Sequence, residues 1–442
     1  MSSFAGKKID ISVPFASAAG RPPVDICRDR YYLIPRSEYP RAGRSGAEPR
    51  PFQPLCDMAR KDSALNRFFA STPGRLGVVG VALLLFPAIF APFIANGRPL
   101  LIVADGRASM PFLRHFFAPH SSDYEVFVEC CFNYLALFLP FGAIAFVFTR
   151  RRPKLRRWLL AALALLVMLP FVFVRSRMDK RDYRKLAAAP GAVRIFAPLP
   201  YSPSEQIGKP YSLPDRRHPL GCDNVGRDVA SRLIYGSRTS LAVGIFSTAL
   251  ALVIGASVGI ASGYWRGWFD LSVMRVVEIL MCFPTFLLLL ILMSSLGGGS
   301  TSLQSIPLVI AVLGLTGWIG AAFLARGETL KQCAMPYIQS CEVSGIPTAR
   351  IMFRHLLPNI APVLLTWGVF AVAGAIMAEN GLSFLGFGVK PPGASWGELL
   401  QEAFADPMTY WNLTLFPGAA IFLAVISFNF IGDGINKALS PK

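Results

Sequence analysis

The chain has 442 residues, 53% hydrophobic and 16% charged, with a mean hydropathy of +0.47. That composition excludes the soluble enzyme classes and intrinsic disorder, which needs few apolar residues and high charge. The 44 Lys and Arg against 26 Asp and Glu give a formal charge of +18, read as basic flanks of membrane spans rather than a nucleic-acid surface, because orientation in a membrane follows Lys and Arg.

Residues 1–75 are polar, rich in Pro and Gly and dotted with basic residues, and predict a cytoplasmic tail. Leu65 to Ala70 suits an amphipathic approach helix on the membrane surface. No short apolar core with a small-residue cleavage site is visible, so no cleavable leader is expected. The first span is predicted at 76–95, about Leu76 to Ile94, starting on the cytoplasmic side. The segment 96–217 is predicted outside and contains an extra hydrophobic pair at about 132–174, with runs Phe132 to Phe148 and Trp158 to Val174. Between these runs six of the eight residues from Arg150 to Arg157 are basic, a strong cytoplasmic marker. The basic block Arg175 to Lys185 then falls on the external side, against the orientation rule. Two spans or a re-entrant hairpin both remain open, and both leave the next segment outside.

The core is predicted over 218–442. It opens with HPLGCDNVGRDVASRLIYGSRTSL from His218 to Leu241, where Gly221 and Gly226 mark turns. From Arg227 to Tyr235 the apolar side chains Val229, Leu233 and Ile234 oppose Arg227, Asp228, Ser231 and Arg232, a pattern that predicts a helix lying on the membrane surface. Five runs follow: Leu241 to Gly263, Leu271 to Leu296, Ile306 to Leu324, Ile360 to Met377 and Trp411 to Ile431. The loop after Leu324 is basic and the one after Met377 carries Glu379, Glu398, Glu402 and Asp406, which predicts an inside and an outside loop. The sum is an all-α, polytopic membrane bundle of about eight transmembrane helices with both termini cytoplasmic.

The loop 330–359, LKQCAMPYIQSCEVSGIPTARIMFRHLLPN, reads as a helix, a break at Gly345 and a second helix that stops before Pro358. Such a knob suits a groove in a soluble partner, with Tyr337, Ile338 and Val343 as apolar anchors and Arg354 on the rim. A plain interhelical loop is the alternative.

Gly345 followed twelve positions later by Leu357 and then Pro358 resembles the EAA loop of ABC importer permeases. The stretch from His218, GYWRGWFD from Gly263, NGLSFLGFGVKPPGASWGELL from Asn380 and FNFIGDGINKALSPK from Phe428 are similar to their counterparts in the dipeptide, oligopeptide and nickel permease family. IANGRPLLI from Ile94 and FAPLPYSPSEQ from Phe196 resemble the subgroup importing microcin C-type peptides. The resemblance implies the type I ABC importer permease fold in a bacterial cytoplasmic membrane. It also implies a second homologous permease, two ABC ATPases that use ATP and Mg, and an external substrate-binding protein. It makes Tyr337, Gln339, Ser340, Cys341, Glu342, Gly345, Arg354, His355, Leu357 and Pro358 the ATPase-coupling loop. Gln339, Ser340 and Cys341 stand where the family has Glu-Ala-Ala, with Glu342 beside them. His218, Pro219, Gly221, Asp223, Gly226, Arg227 and Asp228 form the external motif.

No GxxxxGK[ST] loop occurs, so ATP hydrolysis is expected in a partner and no cofactor on this chain. Eight scattered cysteines without CxxC spacing and four histidines without HExxH pairing point to no metal centre. Within the spans, Arg275 and Glu278 stand one turn apart as an ion pair or, by the resemblance, a pathway residue at Glu278. Pro284 is expected to kink its helix, and Glu379 and Asn380 fall at the external gate. Trp265, Trp268, Trp396 and Trp411 read as interface anchors. Import of peptides or peptide-like compounds is the implied function. A nickel or small-solute importer is the alternative, and a membrane scaffold or receptor the rival from another class.

Overall fold

Ser71 starts the first long helix. Its hydroxyl accepts a hydrogen bond from the Gly74 N–H at 3.2 Å, and a proline lies in the first turn, so donors left open at a helix start are satisfied or removed. The computed structural model describes residues 64–104, 107–119, 126–150, 152–174, 193–297, 302–390 and 393–439. All lie in the second of two units, Ala59–Lys442. Helix α1 (Ala64–Ala70) leads into α2 (Thr72–Ile89) and the short α3 (Ala91–Ile94). The tail predicted over 1–75 therefore gives way to helix at Ala64, and its remainder lies outside the described residues.

A small sheet follows, which the helical reading did not anticipate. Strands β1 (Leu101–Ala104), β2 (Arg107–Ser109) and β3 (Val193–Ile195) pair antiparallel in the order β2-β1-β3, with Ile102 opposite both Ser109 and Arg194. Helix α4 (Pro111–Phe117) packs beside β1. The extra hydrophobic pair is a hairpin of α5 (Val126–Phe148) and α6 (Pro153–Phe173), of 23 and 21 residues, each long enough to span a bilayer.

Helix α7 runs unbroken through Val229–Trp265. This corrects the expected surface helix over Arg227 to Tyr235: those residues open the longest helix, and Arg227, Asp228, Ser231 and Arg232 are buried. Two of them, Arg227 and Arg232, meet Glu398 and Glu402 from the far C-terminal part of the chain, a pairing that local periodicity does not carry. The kink expected at Pro284 in the run Leu271 to Leu296 is a full break: α8 (Gly267–Met281) and α9 (Thr285–Gly297) are bent by 84°. Pro284 lies in the break, where it lacks an amide donor and disfavours helix at the residue before it.

The remaining elements are α10 (Ser302–Cys333), α11 (Pro336–Val343), α12 (Thr348–Arg350) with a π-helical turn at Ile351–Leu356, α13 (Leu357–Phe384), α14 (Trp396–Glu402) and α15 (Trp411–Leu439). Among the described residues, seven helical stretches are long and apolar enough to cross a membrane, and the bent pair makes an eighth if it is counted as one span.

Close packing between α7 and α10 fixes the centre. A Cβ at Gly259 would sit 2.4 Å from the Ala322 carbonyl oxygen and 2.7 Å from the Ala325 Cβ, so only glycine lets the two backbones meet there. Small residues perform this role in membranes because lipid supplies no hydrophobic drive between helices. One core, with Leu241, Ile306, Ile376 and Leu382 at its centre, ties α7, α10 and α13 together. A second one, containing Ile260, Ala325, Ile338, Ile351, Leu356 and Ile360, sits beneath the loop between α10 and α13.

Candidate functional site

The loop between α10 and α13 is built as a rigid bracket. Gly345 has φ +70°, and around it the Ile346 N–H donates to the Cys341 oxygen at 3.1 Å while the Gly345 N–H donates to the Glu342 oxygen at 3.0 Å. This hydrogen-bond pair is a Schellman stop, which ends α11 with a left-handed residue. Cys341 and Ile346, the two side chains flanking the stop, both pack on the second core.

The second arm departs from expectation. It does not stop before Pro358, because the π-helical turn runs directly into α13, with the Leu357 N–H donating to the Met352 oxygen. Pro358 has no amide to donate, and the wider turn absorbs the missing bond. Ile338 is fully buried in the second core, so it anchors the loop to its own protein instead of offering a contact to a partner. The outward face is Tyr337, Gln339, Ser340, Glu342 and Val343, the last 91% exposed, with Arg354 and Pro358 beside it. Cys341, His355 and Leu357 are half-buried.

At the start of α7 the structure gathers a buried charge network. Asp228 caps the helix through the Ser231 N–H at 2.8 Å and meets His218 Nδ1 at 2.9 Å. Asp223 Oδ2 accepts from Arg227 Nε at 2.6 Å and from an Arg232 guanidinium nitrogen at 2.5 Å. Glu402 Oε1 accepts from the same two arginines at 2.8 and 2.7 Å, and Glu398 pairs with Arg232 at 2.7 Å. Arg232 is 0% exposed. Burial pushes the Glu398 and Glu402 carboxyls above their ordinary range, with Arg232 pulling the other way. Gly221 and Gly226, with φ +80° and +84°, turn the preceding loop so that Asp223 reaches both arginines. Pro219 belongs to the same loop. A polar cavity of about 560 Å³, lined by Gln206, Asn224, Arg227, Lys390, Glu398 and Glu402 among others, lies against the network.

Sequence reasoning found Asp223, Arg227 and Asp228 but missed Arg232, Glu398 and Glu402 as their partners. The signal was present as two glutamates four apart in WGELLQE, one turn apart on a helix. Trp396, expected as an interface anchor, is instead buried and donates its indole N–H to the Leu233 oxygen at 3.2 Å, which joins α14 to α7. Trp265, Trp268 and Trp411 are exposed.

Glu379 and Asn380 do not face open space in this conformation. Glu379 is fully buried and accepts hydrogen bonds from Ser240 at 2.9 Å and Ser383 at 2.8 Å, and Asn380 donates to the Ile376 oxygen. The Arg275–Glu278 pair, at 2.7 Å, has side chains 68% and 52% exposed. Two further ion pairs were not anticipated. Arg326 on α10 grips Asp270 on α8 through two bonds of 2.6 Å. Arg238 on α7 donates to the Ala88 and Ile89 oxygens at the end of α2 and to Glu129 and Asn133 on α5.

Comparison with known proteins fits this architecture. The family model described as binding-protein-dependent transport system inner membrane component matches residues 241–442. The glutathione transport system permease protein GsiD of Pectobacterium atrosepticum is 37% identical over 229 residues, 52% of this chain and 74% of that protein. A putative peptide permease protein of Brucella ovis is 37% identical over 248 residues, 55% of this chain and 80% of that one. GsiD of an Escherichia coli O6:K15:H31 strain is 35% identical over 229 residues, again 52% and 74%. On the covering helices, the packed loop and these matches, the chain belongs to the family of binding-protein-dependent transport system inner membrane components and is a multi-pass permease subunit of an ABC transporter.

Proposed function

We propose that this permease imports peptides or peptide-like compounds, as half of a pore formed with a second homologous permease. Two ABC ATPases using ATP and Mg drive it from the cytoplasm, and a substrate-binding protein delivers cargo outside. The names of the relatives, glutathione and peptide permeases, support the substrate class. The observation that carries the coupling role is the bracket itself: Ile338, Ile351 and Leu356 are buried in one core with Ile260 of α7 and Ala325 of α10, while the outward face of α11 stays exposed. ATP energy shifts a membrane equilibrium only if the two ATPase states contact this loop differently, and a stiff loop transmits that difference to α7 and α10.

In this reading both termini and loop 330–359 are cytoplasmic, and the His218 to Asp228 motif is external. An exposed charged pair within a spanning stretch is costly against lipid, so Arg275 and Glu278 face the second permease or a watered pathway, and Glu379 and Asn380 lie behind the external gate. The test is uptake of labelled glutathione and short peptides by vesicles holding the chain with its partner permease, ATPases and binding protein. Saturable, ATP-dependent uptake is expected. ATP hydrolysis with no uptake of any peptide, but with uptake of nickel or another small solute, overturns the substrate class.

A further inference from the structure

The α5–α6 hairpin takes no part in the coupling argument, and its chemistry is sorted by end. From Val126 to Val174 the only carboxylate is Glu129, buried against Arg238. Twenty helical residues, about 30 Å, separate it from the hairpin tip. There the Thr149 hydroxyl donates to the Ala145 oxygen at 2.6 Å and the Arg152 N–H to the Thr149 oxygen at 2.9 Å, closing a tight turn. Arg150, Arg152, Lys154 and Arg157 stand exposed around it. Arg156 instead lies over the Phe146 ring, 4.7 Å from its centroid.

The tip is at headgroup depth by its own residues. Trp158, 78% exposed, stands beside the turn as an interfacial tryptophan does, with Phe148, 85% exposed, on the other arm. Of the most apolar window of α6, only 6% is buried in the protein, which leaves that helix open to lipid. Both α5 and α7 leave the level of the Glu129–Arg238 bridge as spanning helices, which puts the tip on the same membrane face as loop 330–359.

We propose that the hairpin tip is a binding surface for the phosphodiester headgroups of anionic phospholipids. Four exposed cations without a carboxylate between Cys130 and Val174 complement phosphate, and their position beside a long apolar helix open to lipid selects the membrane as its source. The site holds a patch of anionic lipid on the membrane face it shares with loop 330–359, and it does not depend on which substrate is carried.

The experiment is native mass spectrometry of the full chain in its transporter assembly, purified in mild detergent, counting retained phosphatidylglycerol and cardiolipin against phosphatidylethanolamine. A variant with Arg150→Gln, Arg152→Gln, Lys154→Gln and Arg157→Gln is expected to lose roughly tenfold or more of its anionic lipid, because each basic residue at a membrane surface favours anionic lipid by roughly fivefold. Phosphatidylethanolamine should be unchanged, and Arg→Lys at the three arginines should retain the anionic lipid. Equal anionic retention in the Gln variant overturns the proposal, as does an acidic soluble protein bound at the tip without lipid enrichment. If the Gln variant does not accumulate, the unmodified chain decides. Its anionic lipid should wash out as salt is raised, since screening shortens the reach of exposed charges, and salt-independent retention overturns the proposal.

Discussion

The Tyr337 hydroxyl accepts a hydrogen bond from the Asn359 side-chain amide at 3.0 Å and donates one to Gln332 at 2.7 Å. One phenol thus joins the end of α10 to the first turn of α13 across loop 330–359. A hydrogen bond of this kind is worth about 1 kcal/mol net, and partial exposure puts these two at the low end. Tyr337→Phe is therefore expected to fold and assemble normally but to slacken the bracket, raising the ATP hydrolysed per substrate imported by roughly two- to fivefold. An unchanged ratio in reconstituted vesicles would show that this strut is idle.

Gly345 tests the stop itself. Its Cβ position meets nothing within 4 Å, so bulk is not the constraint; the left-handed backbone is. Alanine there costs about 1–2 kcal/mol, and asparagine, which tolerates that conformation, costs less. Uptake should rank Gly above Asn above Ala while membrane insertion stays constant, as read by transport and by surface labelling. A ranking by side-chain size would place the constraint in a partner's contact instead.

Gly259 and Gly317 form a matched pair on the α7–α10 interface. A methyl at Gly259 would meet the Ala322 backbone at 2.4 Å, whereas one at Gly317 would meet the Ala251 Cβ at an ordinary 3.6 Å. Gly259→Leu is expected to abolish folded protein in detergent, measured by size-exclusion profile and thermal stability. Gly317→Ala should cost less than about 1 kcal/mol.

The buried network at the start of α7 gives a pH signature. Glu398 and Glu402 have folded values raised above the ordinary 4.5, so the folded chain binds protons that the unfolded chain has released. Their contribution to stability is fully present below 4.5 and is lost as pH rises through the raised values. Thermal melts between about pH 5 and about pH 8 should show stability falling with pH. Glu398→Gln with Glu402→Gln should flatten that slope, and a slope equal to that of the unsubstituted chain would assign it to other groups. Removing Arg232 from the same network, as Arg232→Ala, is expected to cost about 3–5 kcal/mol, because it leaves buried carboxylates uncompensated.

Much of this molecule was legible because spanning helices announce themselves by length and apolarity. The breaks at Pro284 and Gly345 followed from single residues whose backbone demands are local. What was not legible depended on distance along the chain. Arg232 looked like the wet face of a surface helix until Glu398 and Glu402, about 170 residues later, were seen to surround it. Ile338 looked like an outward anchor for a similar reason: its burial is against Ile260 of α7 and Ala325 of α10, which no spacing within α11 reveals. The π-helical turn before Pro358 is likewise hidden, because a proline in the first turn of a helix and one that ends a helix read alike in sequence.

Arg238 has a consequence for how the protein is made. It draws on the last carbonyls of α2 and on Glu129 and Asn133 of α5, segments synthesised more than a hundred residues before it. Until that arginine emerges from the ribosome, the nascent chain holds Glu129 without the arginine that pairs with it in the folded protein. The bonds that tie α2 and α5 together through Arg238 are therefore completed only when α7 arrives.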